Sequence, residues 1–166
     1  MKFSDSLTED VAHMAIGMVS LSAERSGPKI VYSVLWYPVT DTSRESETWK
    51  TFEHGPFLEA ATLRWMEKAW IPNEKDRASY LGSPLLSTRE QLQVQPPTLM
   101  IVAGVDPLQG EGLAYGHALQ QAGVETAIFI ADGQIHDYVM LNPVATSPTA
   151  RASIEFAGLK LRKALS

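Results

Sequence analysis

The chain has 166 residues, which is enough for a single domain with its own hydrophobic core. Its 45% apolar and 20% charged residues are typical of a globular protein in water. The formal net charge of −5 argues against nucleic acid as a partner, because phosphate binding needs clustered Lys and Arg. The chain has no cysteine, which excludes disulfides, zinc–thiolate sites and a cysteine nucleophile.

We find neither a targeting signal nor a cofactor-binding motif in the sequence. No stretch is apolar and long enough to span a bilayer, and the N-terminal residues lack the apolar core of a signal peptide. We therefore expect a cytoplasmic protein without a membrane span. No His, Asp or Glu pair has metal-ligand spacing and no glycine-rich phosphate loop follows a strand, so we expect neither a metal nor a cofactor.

The first half of the chain predicts a helix, a strand and a long excursion. Apolar residues at helical spacing predict a helix over 7–25, and the β-branched and aromatic run Lys29–Val39 predicts a buried strand. Residues 40–56 are typical of a polar loop and residues 57–70 of a helix. Residues 71–96 contain several helix breakers, which predicts an irregular segment.

The second half alternates strands and helices. Residues 98–106 predict a second buried strand, 111–123 a helix that ends at Gly123, and 125–132 a third strand. Ser147-Pro148 opens a last helix. The order αβαβαβα predicts an α/β fold, in which a parallel sheet is flanked by helices.

Three of these helices have a predicted apolar face. The faces consist of Val11, Met14, Ala15, Met18 and Leu21 in the first helix, of Tyr115, Leu119 and Ala122 in the helix after the second strand, and of Ile154, Ala157, Leu161 and Ala164 in the last helix.

Asp106 and His136 follow two neighbouring strands of the predicted sheet. The carboxyl ends of parallel strands lie at one rim, about 5 Å apart from strand to strand. A carboxylate after one strand can therefore accept the imidazole N–H after the next, which fixes the tautomer of a general base. The pattern alone leaves two other interpretations open, in which Asp106 forms a turn before Pro107 and His136 is a solvated loop residue.

Several stretches share their order and spacing with one known family. They are ERSGPKIVYSVLWYPVTD, GPFL, WMEKAW, SPLLSTREQLQVQPPTLMIVAGVDPLQGEGLAYGHALQQAGV and DGQIHDY. From about Glu24 onward the chain resembles the hormone-sensitive-lipase-like esterases of the α/β-hydrolase fold. In that family the acid of the catalytic triad lies in an Asp-Pro-Leu motif and the histidine follows the next strand. The resemblance implies a carboxylic ester hydrolase with Asp106 as the acid and His136 as the base.

The resemblance also implies a helical cap over the substrate pocket. Residues 43–77 look like the second cap portion of the family, inserted into a single domain over 1–166. We expect a small-molecule substrate, which is an acyl ester or a similar apolar compound. The aromatic side chains expected to bind it are Trp49, Phe52, Phe57 and Trp65, with Trp70 close by. Ordinary packing under the cap is the alternative role for each of them.

The family's nucleophile lies in a Gly-Asp-Ser-x-Gly-Gly elbow just before the first helix predicted here. Ser4-Asp5-Ser6 would place Ser6 at the nucleophile, but the two glycines that follow in the family are missing. An alignment without a gap places Glu9 there instead. The alternative is that Ser6 caps the helix in a capping box with Glu9.

Other departures concern the oxyanion hole and the site itself. The resemblance puts the His-Gly-Gly-Gly stretch, the first strands and the first cap portion ahead of Met1, so we expect an α/β-hydrolase-like fold that lacks the N-terminal half. The strand Lys29–Val39 is then a sheet edge, which predicts a homo-oligomer or a partner chain. Gly110 stands where the family more often has Asp. Asp137 replaces the usual Gly after the histidine, and its charge favours a protonated imidazole.

Three functions stay open at this point. The first is ester hydrolysis, with Ser6 attacking and His136 as the base. The second is a non-hydrolytic proton transfer by the Asp106–His136 pair, such as an isomerisation, cyclisation or elimination. The third is a binding module without chemistry. Glu111 opens a helix, where an acid complements the helix dipole, and we assign it no catalytic role.

Overall fold

The computed structural model describes residues 8–166, with side chains from residue 11 onward. The elements in chain order are α1 (Thr8–Glu24), β1 (Ser33–Trp36), α2 (Glu47–Thr51), α3 (Ala60–Trp70), α4 (Glu74–Arg77), α5 (Arg89–Leu92), β2 (Thr98–Val105), α6 (Gln109–Ala122), β3 (Thr126–Ile135) and α7 (Pro148–Ala164). A short 3-10 helix, Pro84–Leu86, precedes α5. Within the described range, no helix is both long and apolar enough to cross a membrane.

The three strands form one parallel sheet in the order β1-β2-β3. Thr98 at the start of β2 lies opposite Ser33 on one side and Thr126 on the other, so the strands start together and run in the same direction. Their carboxyl ends therefore lie at one rim of the sheet. The predicted fold class, a parallel sheet flanked by helices, is confirmed.

The central strand β2 divides its side chains between two cores. Met100 and Val102 pack against α1 and α6, in a cluster with Ile16, Tyr115 and Leu119. The alternate residues Leu99, Ile101 and Ala103 pack against α7, in a cluster with Ala150 and Ala157. Successive side chains of a strand point to opposite faces, so this alternation places α7 on the other face from α1 and α6. Both faces of β2 are buried, as its near-continuous apolar run predicted.

The prediction of a long first strand over Lys29–Val39 is wrong at both ends. The strand covers only Ser33–Trp36, and Ile30 and Val31 before it are 41% and 49% exposed. Tyr37 ends the strand because its φ of 34° takes the backbone out of the extended region. Its N–H still donates to the Ile101 carbonyl, at 2.7 Å, which keeps Tyr37 attached to the sheet.

The predicted apolar face of α1 is also wrong. Its core-facing apolar residues are Ala12, Ile16 and Val19, whereas Met14 and Met18 of the predicted face are 47% and 65% exposed. The helix carries two apolar stripes, and only the one with shorter side chains packs on the sheet. Helical spacing identifies both stripes and cannot choose between them.

The predicted apolar face of α7 is wrong in part, whereas that of α6 is confirmed. In α7, Ala157 is buried as predicted, but Ile154 and Leu161 are 40% and 37% exposed. The buried residues of α7 are the small Ala150, Ser153 and Ala157, and Phe156 packs against the same core. Small side chains let the helix approach the sheet closely. The predicted face of α6, with Tyr115, Leu119 and Ala122, is buried throughout.

The segment between β1 and β2 is more regular than predicted. The predicted loop over 40–56 contains α2, the helix predicted over 57–70 begins only at Ala60, and the segment 71–96 contains α4 and α5. These single-turn helices are too short to show a period, and local caps define two of them. Asn73 caps α4 by accepting the Lys75 N–H, and Thr88 forms a capping box with Gln91 at α5.

The end of β2 approaches β3 so closely that only glycine fits there. A Cβ atom at Gly104 would lie 2.9 Å from the Asp132 Cα and from the Gly133 nitrogen. The register between β2 and β3 shifts at this point, between Ala103 and Val105. The strand β3 also continues past the predicted 125–132 to Ile135, so His136 follows the strand directly.

Candidate active site

Asp106 occupies the turn that follows β2 and is fully buried. Its Oδ1 accepts the Leu108 N–H at 2.9 Å, and its backbone carbonyl accepts the Gln109 N–H at 3.1 Å. The residue is thus a turn former, as an Asp before Pro often is. Only one carboxylate oxygen serves the turn, so Oδ2 is available for a second partner.

That partner is His136, which follows β3 and is 1% exposed. The His136 Nδ1–H donates to the Asp106 Oδ2 at 2.7 Å. The neighbouring Tyr138 fixes the segment to α7, because its hydroxyl donates to the Ser153 Oγ at 2.7 Å. The sheet therefore brings Asp106 and His136 together at the rim where the sequence predicted them, and the solvated-loop interpretation of His136 is wrong.

Two further groups face the His136 ring, and both lie at the same rim. The Tyr37 ring at the end of β1 has its centroid 4.6 Å from that of His136. The Asp137 Oδ1 lies 3.8 Å from the His136 Nε2. Burial, and after it the charge of Asp137, raises the pKa of Tyr37 well above its usual range. Tyr37 therefore stays neutral beside the imidazole.

Tyr37 and Asp137 share an unusual backbone conformation. Their φ angles of 34° and 60° lie in the left-handed region, which costs on the order of 1–3 kcal/mol for a non-glycine residue. Asp tolerates this region better than most residues, whereas Tyr does not. Such strain collects at functional sites, and here it lies on both sides of one histidine.

The helix α2 contacts the turn that carries Asp106 directly. The Thr48 hydroxyl of α2 donates to the Pro107 carbonyl at 2.6 Å and accepts the Gly110 N–H at 3.1 Å. A Cβ atom at Gly110 would lie 2.9 Å from the same hydroxyl oxygen. The close approach of α2 therefore explains a glycine at this position, where the family more often has Asp.

Glu111 links α6 to α2 and to the segment after β1, and the sequence did not predict these contacts. Its side chain is buried, and its Oε1 accepts the N–H groups of Thr40 and Asp41, at 2.8 and 3.2 Å. Its Oε2 accepts the indole N–H of Trp49 at 3.1 Å. Burial raises the pKa of Glu111 to about 8, against the opposing effect of these donors. The helix-dipole interpretation of Glu111 is therefore incomplete.

The four aromatic residues expected to bind substrate lie in different surroundings. Trp49 is buried in a cluster with Leu58, Leu63 and Leu108, which joins α2 and α3 to the turn after β2. Phe52 is half-buried, whereas Phe57 and Trp65 are 51% and 59% exposed. No ring contact between described residues joins two of the four.

The remaining candidate residues are the other three histidines and Ser6. His13 is buried, its ring contacts that of Trp70 at 4.5 Å, and its Nε2–H donates to the Leu81 carbonyl at 2.6 Å. Burial lowers the pKa of His13, so this ring stays neutral. His54 and His117 are exposed. Ser6, the predicted nucleophile, lies outside the described residues.

Comparison with known proteins places this geometry in a family. Residues 12–140 match the sequence profile of the α/β-hydrolase fold. The chain belongs to the α/β-hydrolase fold family. This hydrolase-family chain is 42% identical over 153 residues to an esterase of Fusarium pseudograminearum, covering 91% of the chain and 47% of the relative. It is 31% identical to an ethyl acetate hydrolase of Pseudomonas putida, covering 84% of the chain and 43% of the relative.

Solved structures give the same result. The hydrolase-family chain superposes on carboxyl esterase 2 of Tuber melanosporum with a TM-score of 0.89 at 35% identity, covering 92% of the chain and 50% of that structure. A thermostable esterase of Pseudomonas putida gives 0.90 at 34% identity, with 93% and 49% covered. The resemblance to esterases of this fold is confirmed. The chain spans about half the length of the relatives that it matches.

We expect the stability of the protein to fall as the pH rises from about 5 to about 8, and Glu111→Gln to flatten this dependence. The folded-state pKa of about 8 lies above the ordinary 4.5, so the folded chain holds a proton that the unfolded chain has released. The stabilisation is fully present below pH 4.5 and is lost as the pH rises through 8. The midpoint of thermal unfolding, measured across this range, reports the effect.

Glu155→Gln is the matched control, because Glu155 is an exposed glutamate on α7. The thermal unfolding midpoint of this variant should fall as the pH rises, as that of the wild type does. A Glu111→Gln profile as steep as that of the wild type would contradict the assignment of this proton to Glu111.

Proposed function

We propose that the protein takes part in the hydrolysis of a small carboxylic ester, with His136 as the general base and Asp106 as the residue that orients it. The observation that carries the proposal is the buried 2.7 Å hydrogen bond from the His136 Nδ1 to the Asp106 Oδ2. With Nδ1 as the donor, Nε2 is the basic nitrogen of the neutral ring. The sequence identity to esterases supports ester hydrolysis as the reaction.

The chemistry follows from the charges in this pair. The neutral His136 takes a proton from an attacking hydroxyl and returns it to the leaving alcohol, which leaves the acyl group on the attacking oxygen. A water molecule then releases the carboxylic acid through the same two proton transfers, and the Asp106 carboxylate stabilises the imidazolium that forms between them. We propose Ser6 as the source of the attacking hydroxyl, on the family resemblance of the segment that contains it.

For the substrate, we propose a short acyl ester held between the cap and the sheet rim. One relative is named an ethyl acetate hydrolase, which supports a small acyl group. Phe52, Phe57 and Trp65 are the proposed aromatic contacts. Trp49 would act indirectly, since its indole N–H is already bonded to Glu111.

A proton transfer without a serine nucleophile is the second candidate function. The observation that favours it is the Asp137 carboxylate 3.8 Å from the His136 Nε2, because a negative charge there favours the imidazolium over the free base. A protonated His136 would serve an elimination or isomerisation as a general acid.

We also propose that β1 pairs with a strand of a second copy of the chain. The N–H groups of Ser33 and Tyr37 donate to the carbonyls of Pro97, just before β2, and of Ile101 in β2, at 3.0 and 2.7 Å. In a parallel ladder alternate residues bond to one side, so the N–H groups of Val34 and Trp36 point to the other side. No strand among residues 8–166 pairs with β1 there, and an open edge of this kind is a template for pairing. The cytoplasmic location stays a prediction.

We expect His136→Gln, Asp106→Asn and Ser6→Ala each to lower kcat/KM on p-nitrophenyl acetate by about 100-fold or more. His136→Gln removes the base, Asp106→Asn removes the charge that stabilises the imidazolium, and Ser6→Ala removes the proposed nucleophile. Turnover of the ester, followed as release of p-nitrophenol, is the measurement.

His117→Gln is the control, because it removes an exposed histidine from α6 and should leave turnover unchanged. A His136→Gln variant with full activity, or a wild-type chain without turnover, would contradict ester hydrolysis. Loss of activity in His136→Gln but not in Ser6→Ala would favour the serine-independent function.

We expect the wild-type chain to self-associate and Val34→Pro to abolish the association. Proline removes the Val34 N–H from the open edge and leaves the β1–β2 hydrogen bonds in place. Light scattering after size-exclusion chromatography measures the mass. Val34→Thr is the control, since it keeps the amide and should associate like the wild type. A monomeric wild type, or association of Val34→Pro, would rule out pairing through this edge.

A further inference from the structure

His136 lies between two carboxylates instead of beside one. The Asp106 Oδ2 is 2.7 Å from the Nδ1, and the Asp137 Oδ1 is 3.8 Å from the Nε2. The first contact is the orienting hydrogen bond described above. The second contact involves Nε2, the nitrogen that has to accept the proton in the proposed ester hydrolysis.

The two carboxylates act on the ring through a medium that screens charge poorly. Asp106, His136 and Asp137 are 0%, 1% and 5% exposed. The attraction between a carboxylate and an imidazolium is several-fold stronger at a buried position than in bulk water. A carboxylate within about 4–6 Å of an ionisable group of opposite charge shifts its pKa by roughly 1–3 units toward the charged form.

Three side chains from neighbouring elements face the ring. They are Tyr37 from the end of β1, Asp106 from the turn after β2, and Asp137 from the segment of His136 itself. Tyr37 is neutral, so the two charged groups among them are both negative. Each of them stabilises the protonated ring.

The backbone of Asp137 has a conformation that other small or polar residues can also adopt. The φ of 60° at Asp137 is the left-handed conformation, which Gly adopts freely and which Asp and Asn adopt more readily than other side chains. The position therefore accepts Gly, Asn and Asp with the same backbone. Of these three, Asp alone is charged, so Asn and Gly test the charge with little change in the fold.

We propose that Asp137 is a positioning residue that raises the proton affinity of His136, so that the ring becomes a free base only at a higher pH than the Asp106 contact alone would set. The proton affinity is a property of the three side chains and does not depend on which reaction they serve. Its consequence for catalysis rests on the proposed ester hydrolysis, in which the acidic limb of the pH profile would follow the pKa of His136.

The test is an NMR titration of the histidine ring carbons in the full chain and in Asp137→Asn. The chain has four histidines, and the His136 signal is identified by its absence from the spectrum of His136→Gln. We expect Asp137→Asn to lower the pKa of His136 by about one unit or more. Asp137→Gly should give the same direction, because it also removes the charge.

Asp132→Asn is the matched control, since Asp132 is an exposed aspartate on β3. It changes the net charge equally and should leave the pKa of His136 in place. Unchanged signals of the other three histidines show that each variant keeps its fold. A pKa of His136 that is unchanged or higher in both Asp137 variants would overturn the proposal, as would an equal fall in Asp132→Asn.

The same variants separate this proposal from the proposed function. If ester hydrolysis is correct, the acidic limb of kcat/KM should move to lower pH in Asp137→Asn by the same amount as the NMR pKa. A lowered NMR pKa without any ester turnover would support the role of Asp137 and contradict ester hydrolysis. If the acidic limb of kcat/KM moves in Asp137→Asn while the pKa of His136 measured by NMR does not, the role of Asp137 is contradicted.

Discussion

The hydrogen bond between the Asp106 carboxylate and the His136 imidazole depends on the parallel sheet. The two residues are 30 positions apart, and only the shared direction of β2 and β3 brings their carboxyl ends to one rim. The close approach at Gly104 sets how near the two strand ends come. The chemistry that we propose follows from this contact, because an oriented and buried imidazole is what a general base requires.

Buried polar contacts join α2 and the segment after β1 to α6 and to the turn that carries Asp106. Glu111 accepts hydrogen bonds from Thr40, Asp41 and Trp49, and Thr48 holds the turn of Asp106. The hydrogen bonds from three donors to the buried Glu111 side chain are costly to break, since each donor would lose its partner in a medium with little water. The position of α2 beside the turn of Asp106 is therefore fixed by side chains to which we assign no step of the proposed reaction.

Much of the fold and of the site could be predicted from local pattern. The apolar run of β2, the face of α6 and the meeting of Asp106 with His136 all follow from periodicity and from the geometry of parallel strands. The length of β1 and the face of α1 could not be predicted, because the backbone of Tyr37 and the choice between two apolar stripes depend on tertiary packing. The contacts of Glu111 and Tyr37 were missed for the same reason, since each involves partners far apart in sequence.

The most direct test of the central contact is the protonation state of each ring nitrogen of His136. A long-range proton–nitrogen NMR spectrum, recorded above the pKa of His136, distinguishes the two neutral tautomers. The hydrogen bond from His136 to Asp106 predicts a proton on Nδ1 in the wild type and a mixture of tautomers in Asp106→Ala, which lacks the acceptor. A neutral ring with its proton on Nε2, or a tautomer that is unchanged in Asp106→Ala, would contradict it.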